Sequence, residues 1–150
     1  MGRFTTIVDV DRPLHEVFDF LADRENDPSW HRAVESVVPL DETPPHVGSS
    51  YRVERSLPSG RAVNTVAVTE LEAPRLLTIE TASGPTPFRY RFELRPMKRG
   101  TELSLDGEIT VDGFFDLKSI LDPVAAISFR RKMKRNLLQL KHLLESGSVR

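Results

Sequence analysis

From Phe88 to Arg95 every second residue is apolar. Phe88, Tyr90, Phe92 and Leu94 fall on one face; Arg89, Arg91, Glu93 and Arg95 fall on the other. A period of two is that of a strand with one buried side and one wet side. Such a strand belongs in a one-sided antiparallel sheet. Thr101–Val111 repeats the pattern, with Leu103, Leu105 and Ile109 against Glu102, Ser104, Asp106 and Glu108. Gly107 interrupts its apolar side, which reads as a bend or as room for another group.

The same reading extends in both directions. Phe4–Val10 is a first strand, followed by Val34–Leu40, Ser50–Ser56, Arg61–Leu71 and Arg75–Ala82. Short Pro- and Gly-bearing turns separate the later strands, so neighbours run antiparallel. Asp11 is suited to cap a helix, and Pro13 to its first turn. Leu14, Val17, Phe18 and Leu21 then recur at helical spacing. Asn26-Asp27-Pro28 breaks that helix, and Pro28–Trp30 starts a second, very short one. Asp122-Pro123 reads as the start of a long helix ending near Glu145, about six turns on. Its apolar stripe is Ile127, Met133, Leu137, Leu140 and Leu144.

The pattern predicts an α+β fold. A seven-stranded curved antiparallel sheet wraps around a long C-terminal helix, with two short helices between strands 1 and 2. One apolar sheet face needs a cover, and only the last helix is large enough. A twisted sheet of this size curls, and one helix does not fill its concave side. An internal cavity follows, with Leu103 and Leu105 in its walls, Gly107 at the thinnest point, and Val124 and Ile127 beneath.

A chain of 150 residues is read as one domain over residues 1–150. There is no cysteine, which removes disulfides, thiol nucleophiles and thiolate metal sites. His15, His31, His46 and His142 lack metal-pair spacing, and the glycines form no phosphate loop. No metal and no cofactor is expected. No apolar run is long enough for a membrane span. The alternating N-terminus reads as a strand, so a cytoplasmic location is the expectation. Arg130-Arg131-Lys132-Met133-Lys134-Arg135 is basic, but the net charge is −1 and no aromatics interleave with the bases. It reads as a solvated helix face, and no nucleic acid is expected.

Several local signatures keep a familiar order. They are Asp11-x-Pro13-x-x-x-Val17-Phe18-x-x-Leu21-x-Asp23, Pro28-x-Trp30, and Gly48 before the Tyr51 strand. Val68-Thr69-Glu70-x-Glu72-x-Pro74-Arg75-Leu76 and the terminal helix from Leu137 to Glu145 complete them. Together they resemble the START-like superfamily, also called SRPBCC or the helix-grip fold, and within it the polyketide cyclase/dehydrase-type branch. The resemblance covers essentially the whole chain. It implies a pocket between sheet and long helix, and lipid- or polyketide-like ligands. It implies no single reaction, because function resides in the site.

Within that frame each candidate has two readings. Trp30 either stacks on a ligand at the pocket mouth or packs the small helices. His31 is a general base near a pocket or a surface residue beside Arg32. Tyr51, Val53 and Arg55 share a strand face. Arg55 either holds a planar anion from inside or lies past the sheet edge in water. Asn64 shares a face with Val66 and Val68, while Tyr90 lies between Phe88 and Phe92. Both are ligand contacts or satisfied core groups. Phe114 and Phe115 cap the pocket or join two copies, so the chain is a monomer or a homodimer. The first functional expectation is binding of a small hydrophobic ligand in the cavity. The alternative is cyclase/dehydratase-like chemistry on a ligand held there, with His31, Tyr51, Arg55 and Tyr90 handling protons.

Overall fold

A computed structural model describes residues 2–57, 60–109 and 123–147, with side chains in the last segment from Ile127 onward. The chain begins with β1 (Gly2–Val10) and α1 (Leu14–Ala22). A single 3₁₀ turn, Arg24–Asn26, leads to α2 (Asp27–Trp30). Next come β2 (Val34–Pro39), β3 (Ser50–Leu57) and β4 (Gly60–Glu72). They are followed by β5 (Leu76–Ser83), β6 (Phe88–Pro96) and β7 (Thr101–Ile109). The helix α3 spans Pro123–Glu145. One antiparallel sheet holds all seven strands in the order β1-β7-β6-β5-β4-β3-β2. The alternation at 88–95 is borne out: Phe88, Tyr90, Phe92 and Leu94 are buried.

Register shifts bend the β2–β3 and β4–β5 pairs. Bulges of this kind increase local twist and help the sheet curl. Into the concave face α3 sends Met133, Leu137, Leu140 and Leu144, all buried. The helix also covers the edge at β1. Lys134 Nζ donates to Ile7 O, and Lys141 Nζ donates to Asp9 O at 2.6 Å. Glu145 Oε2 accepts from the Asp11 amide at 2.7 Å. Carbonyls that an edge strand would offer to another chain are thus occupied. No helix among the described residues is long and apolar enough to cross a membrane.

Three local expectations change. Asp11 does not cap α1, which starts at Leu14 without any side-chain cap. Its carboxylate instead pairs with Arg99 at 3.0 Å, a tertiary partner the local motif does not reveal. Ile127 does not floor the cavity; it is 41% exposed, nearly two helix turns before the stripe reaches the core at Met133. Gly107 does not leave an opening, because the Phe4 ring fills it. A Cβ there would sit 2.3 Å from Phe4 Cζ. Gly107→Ala is therefore expected to destabilise the fold by about 2 kcal/mol in urea unfolding. In a Phe4→Leu background the added cost should shrink; equal costs in both backgrounds would show that the ring is not the obstacle.

Candidate functional site

Beneath α2, on the concave face of the sheet, lies a small, partly open cavity of about 20 Å³. Its apolar wall is Val34, Val37, Val53, Val66, Ile79 and Phe88. Arg24, Asp27, His31, Arg55 and Tyr90 supply the polar part. A volume of this size admits about one water molecule.

Arg24 and Asp27 reach the cavity from the 3₁₀ turn and the first residue of α2. Both side chains are 5% exposed, and Arg24 Nη2 lies 2.5 Å from Asp27 Oδ2. Arg24 also donates to Leu21 O at 3.1 Å, and its guanidinium stands over the Phe92 ring at 5.9 Å. Asp27 Oδ1 is buried with no hydrogen-bond partner. Burial pushes the Asp27 carboxyl up to about 7, against the pull of Arg24. The Trp30 indole N–H lowers that value slightly, yet it makes no hydrogen bond of ordinary geometry.

His31 directly follows α2, and its backbone amide donates to Asp27 O at 2.7 Å. Its side chain is buried, not at the surface beside Arg32. Burial, and then the charges of Arg24 and Arg55, lower its pKa to about 3. The imidazole is therefore neutral at pH 7 and too weakly basic to serve as a general base. Its Nδ1 lies 3.5 Å from Asn136 Nδ2 on α3, and Asn136 Oδ1 accepts from the Arg32 amide at 3.1 Å. This buried asparagine ties the long helix to α2.

Arg55 is buried, with 7% exposure, and does not lie in water past the sheet edge. Its Nε donates to Asn64 Oδ1 at 2.9 Å. Its Nη2 donates to Pro85 O at 3.0 Å and Thr86 O at 3.1 Å. The guanidinium also lies over Phe88 at 5.0 Å. Asn64, fully buried, donates to Pro85 O at 2.8 Å and Ser83 O at 3.3 Å. Together the two side chains hold the β5–β6 turn against the sheet. Gly84 there has φ +106°, and a Cβ would meet Asn64 Nδ2 at 2.6 Å. Tyr90 stacks near Phe88, with ring centroids 4.6 Å apart. Burial pushes its hydroxyl up to about 12.

The remaining candidates separate from this cluster. Tyr51 lines an open groove of about 650 Å³ outside the cavity, among Asp19, Asp23, Asp41 and Glu42. Trp30 is core, 2% exposed and edge-on to Phe92 at 6.4 Å. Phe92, Leu103 and Leu105 are fully buried core side chains and do not line the cavity. The Val124 side chain and Phe114-Phe115 lie outside the described residues. Val53, Val66, Phe88, Tyr90, His31 and Arg55 are brought together. Sequence reasoning missed Arg24 and Asp27, because Asp-Arg-Glu-Asn-Asp-Pro reads only as a helix break. It also missed Asn136, which looks like an ordinary helix-surface amide.

A seven-stranded antiparallel sheet, two short helices after its first strand and a long closing helix define the START-like, or SRPBCC, class of fold. The chain belongs to the polyketide cyclase/dehydrase and lipid transport family, whose sequence profile matches residues 1–145. No curated protein sequence matches it. Among solved structures it is similar to TTHA0849 from Thermus thermophilus. The TM-score is 0.80 at 12% identity, covering 98% of this chain and 99% of that one. It is also similar to Ara h 8.0201, with TM-score 0.71 and 10% identity over 97% and 98% of the two chains. The di-domain ARO/CYC StfQ of the steffimycin biosynthetic pathway gives TM-score 0.72 at 16% identity. There the match covers 97% of this chain and 51% of StfQ. At these identities the likeness is one of fold.

Proposed function

We propose that the protein is a cytoplasmic binder of a small hydrophobic molecule, lipid- or polyketide-like, held in the cavity beneath α2. One observation carries this reading: six apolar side chains and five polar ones from separate elements converge on a single cavity. An apolar lining with a few convergent polar groups is the usual make-up of a small-molecule site. The family's description as polyketide cyclase/dehydrase and lipid transport agrees with it. The space of about 20 Å³ is smaller than such a ligand, so uptake moves the walls apart.

Native mass spectrometry tests the reading directly. Incubated with medium-chain alcohols and two- or three-ring aromatics, the protein should retain at least one of them as a 1:1 complex. Val66→Phe, which pushes a ring into the cavity, should abolish that complex. Failure of the whole panel to bind, or unchanged binding by Val66→Phe, would remove the cavity as the site.

A second reading is cyclisation or dehydration of the bound molecule, favoured by the convergence of Asp27, His31, Arg55 and Tyr90. In that case Asp27 is the group able to exchange a proton near neutral pH, since only its pKa lies close to 7. Tyr90 would donate a hydrogen bond to a carbonyl, and His31 would stay neutral.

A further inference from the structure

Arg55 is a buried cation with no counter-ion among the described residues. Its side chain is 7% exposed, and its three hydrogen bonds all go to neutral oxygens, those of Asn64, Pro85 and Thr86. Among the described residues no carboxylate pairs with it, and Nη1 makes no hydrogen bond. The nearby carboxyl in the cavity, Asp27, is already engaged by Arg24 at 2.5 Å. The cavity is therefore lined by two guanidinium groups against one carboxyl. Taking a charge out of water is costly unless it is paired. Carbonyl dipoles offset part of this cost but, among the described residues, leave net positive charge around the cavity.

The groups without partners have one chemistry in common. Arg55 and Tyr90 both line the same space, and each carries an N–H or O–H donor with no partner among the described residues. His31 offers a neutral imidazole beside them. A guanidinium N–H donates a charge-assisted hydrogen bond, and a carboxylate accepts it better than any neutral head group does. Val53, Val66, Ile79 and Phe88 offer no polar contact to the rest of the molecule.

We propose that the ligand is an amphipathic carboxylic acid, its carboxylate bound by Arg55 and Tyr90 and its apolar body against the valine and isoleucine wall. This rests on the cavity being the binding site. The wall movement needed to admit a chain is common to any head group. A comparison of ligands with the same chain cancels that cost and isolates the carboxylate.

Trp30 is the only tryptophan, and its ring centroid is 5.6 Å from that of His31, so its fluorescence reports on the site. Titration at pH 8 with decanoate, 1-decanol and decylamine is the test. Decanoate should bind about tenfold more tightly than decanol, as expected of a charge-assisted pair, and decylamine most weakly. Arg55→Gln should erase the acid-over-alcohol preference, read as the ratio of the two affinities in the same variant. Arg55→Lys should keep part of the preference, and Tyr90→Phe should reduce it by a few-fold. Equal binding of decanoate and decanol by the unaltered protein overturns the proposal without needing any variant. So does a preference that survives in Arg55→Gln. If no chain binds the unaltered protein, the cavity reading itself fails, and the carboxylate assignment with it.

Discussion

At pH 8 Arg24→Met should lower the free energy of unfolding by about 3–5 kcal/mol, the usual cost of removing one partner of a buried ion pair. Arg24 and Asp27 are both 5% exposed, and the guanidinium is the one ion-pair partner of that carboxylate among the described residues. Without it Asp27 keeps its burial and loses its counter-charge. The double variant Arg24→Met/Asp27→Leu should recover most of the loss, because it removes the second charge as well. The single variant should also be more sensitive to pH. Burial already holds the Asp27 carboxyl above its ordinary range, and loss of Arg24 raises it further. The stability deficit should therefore be smaller at pH 5, where Asp27 takes up a proton, than at pH 8. Urea unfolding of the single and double variants at both pH values measures all of this. A loss below about 1 kcal/mol in the single variant would mean that water reaches the pair.

The second large effect comes from two buried groups that titrate against each other. His31 has a folded pKa of about 3 and an ordinary value of 6.5. Its contribution is present above pH 6.5 and is lost as pH falls towards 3. Asp27 has a folded value of about 7 and an ordinary one of 3.8. Its contribution is present below pH 3.8 and is lost as pH rises towards 7. Between about pH 4 and 6.5 the two slopes oppose each other, so they nearly cancel in the unaltered protein. Single substitutions should expose each slope. His31→Gln leaves Asp27, so stability should fall with rising pH by on the order of 3 kcal/mol across that window. Asp27→Asn leaves His31, so stability should rise with pH by a similar amount. Denaturant midpoints from pH 4 to 7 would reveal it, and parallel profiles for the two variants would refute it.

The fold was legible because its signals are local. The alternation along Phe88–Arg95 and Thr101–Ile109 and the helical stripe from Met133 to Leu144 each need only a short window. Strand bounds shift by a residue or two, as element ends do. The site was legible only in part. Val53, Val66, Phe88 and Tyr90 follow from strand alternation, and so does the inward direction of Arg55. Whether that direction ended in water or in protein depended on the β5–β6 turn, which Asn64 and Arg55 fold back over the strand end. No window contains that information. The apparent gap at Gly107 is closed by Phe4, brought to it by the β1–β7 pairing. Arg24 and Asp27 carry the charge pattern of a surface turn. They are buried because α2 folds them under the sheet, a tertiary fact with no local signature.

The lysine and glutamate ties between α3 and β1 also bear on how the chain assembles. β1 pairs with β7 across about a hundred residues, Gly2 with Ile109 and Val10 with Thr101. Among the described residues its other side is covered by the last helix. During synthesis β1 is made well before β7, its partner in the sheet, and before the helix that covers it. At about 5–20 residues per second, β1 waits several seconds on the ribosome with both sides open. Closure between distant segments is entropically slow. The sheet can grow in order from β2 to β7, each strand beside the one just made. The final step then brings β1 and α3 together, and the helix that completes the core also secures the sheet's edge strand.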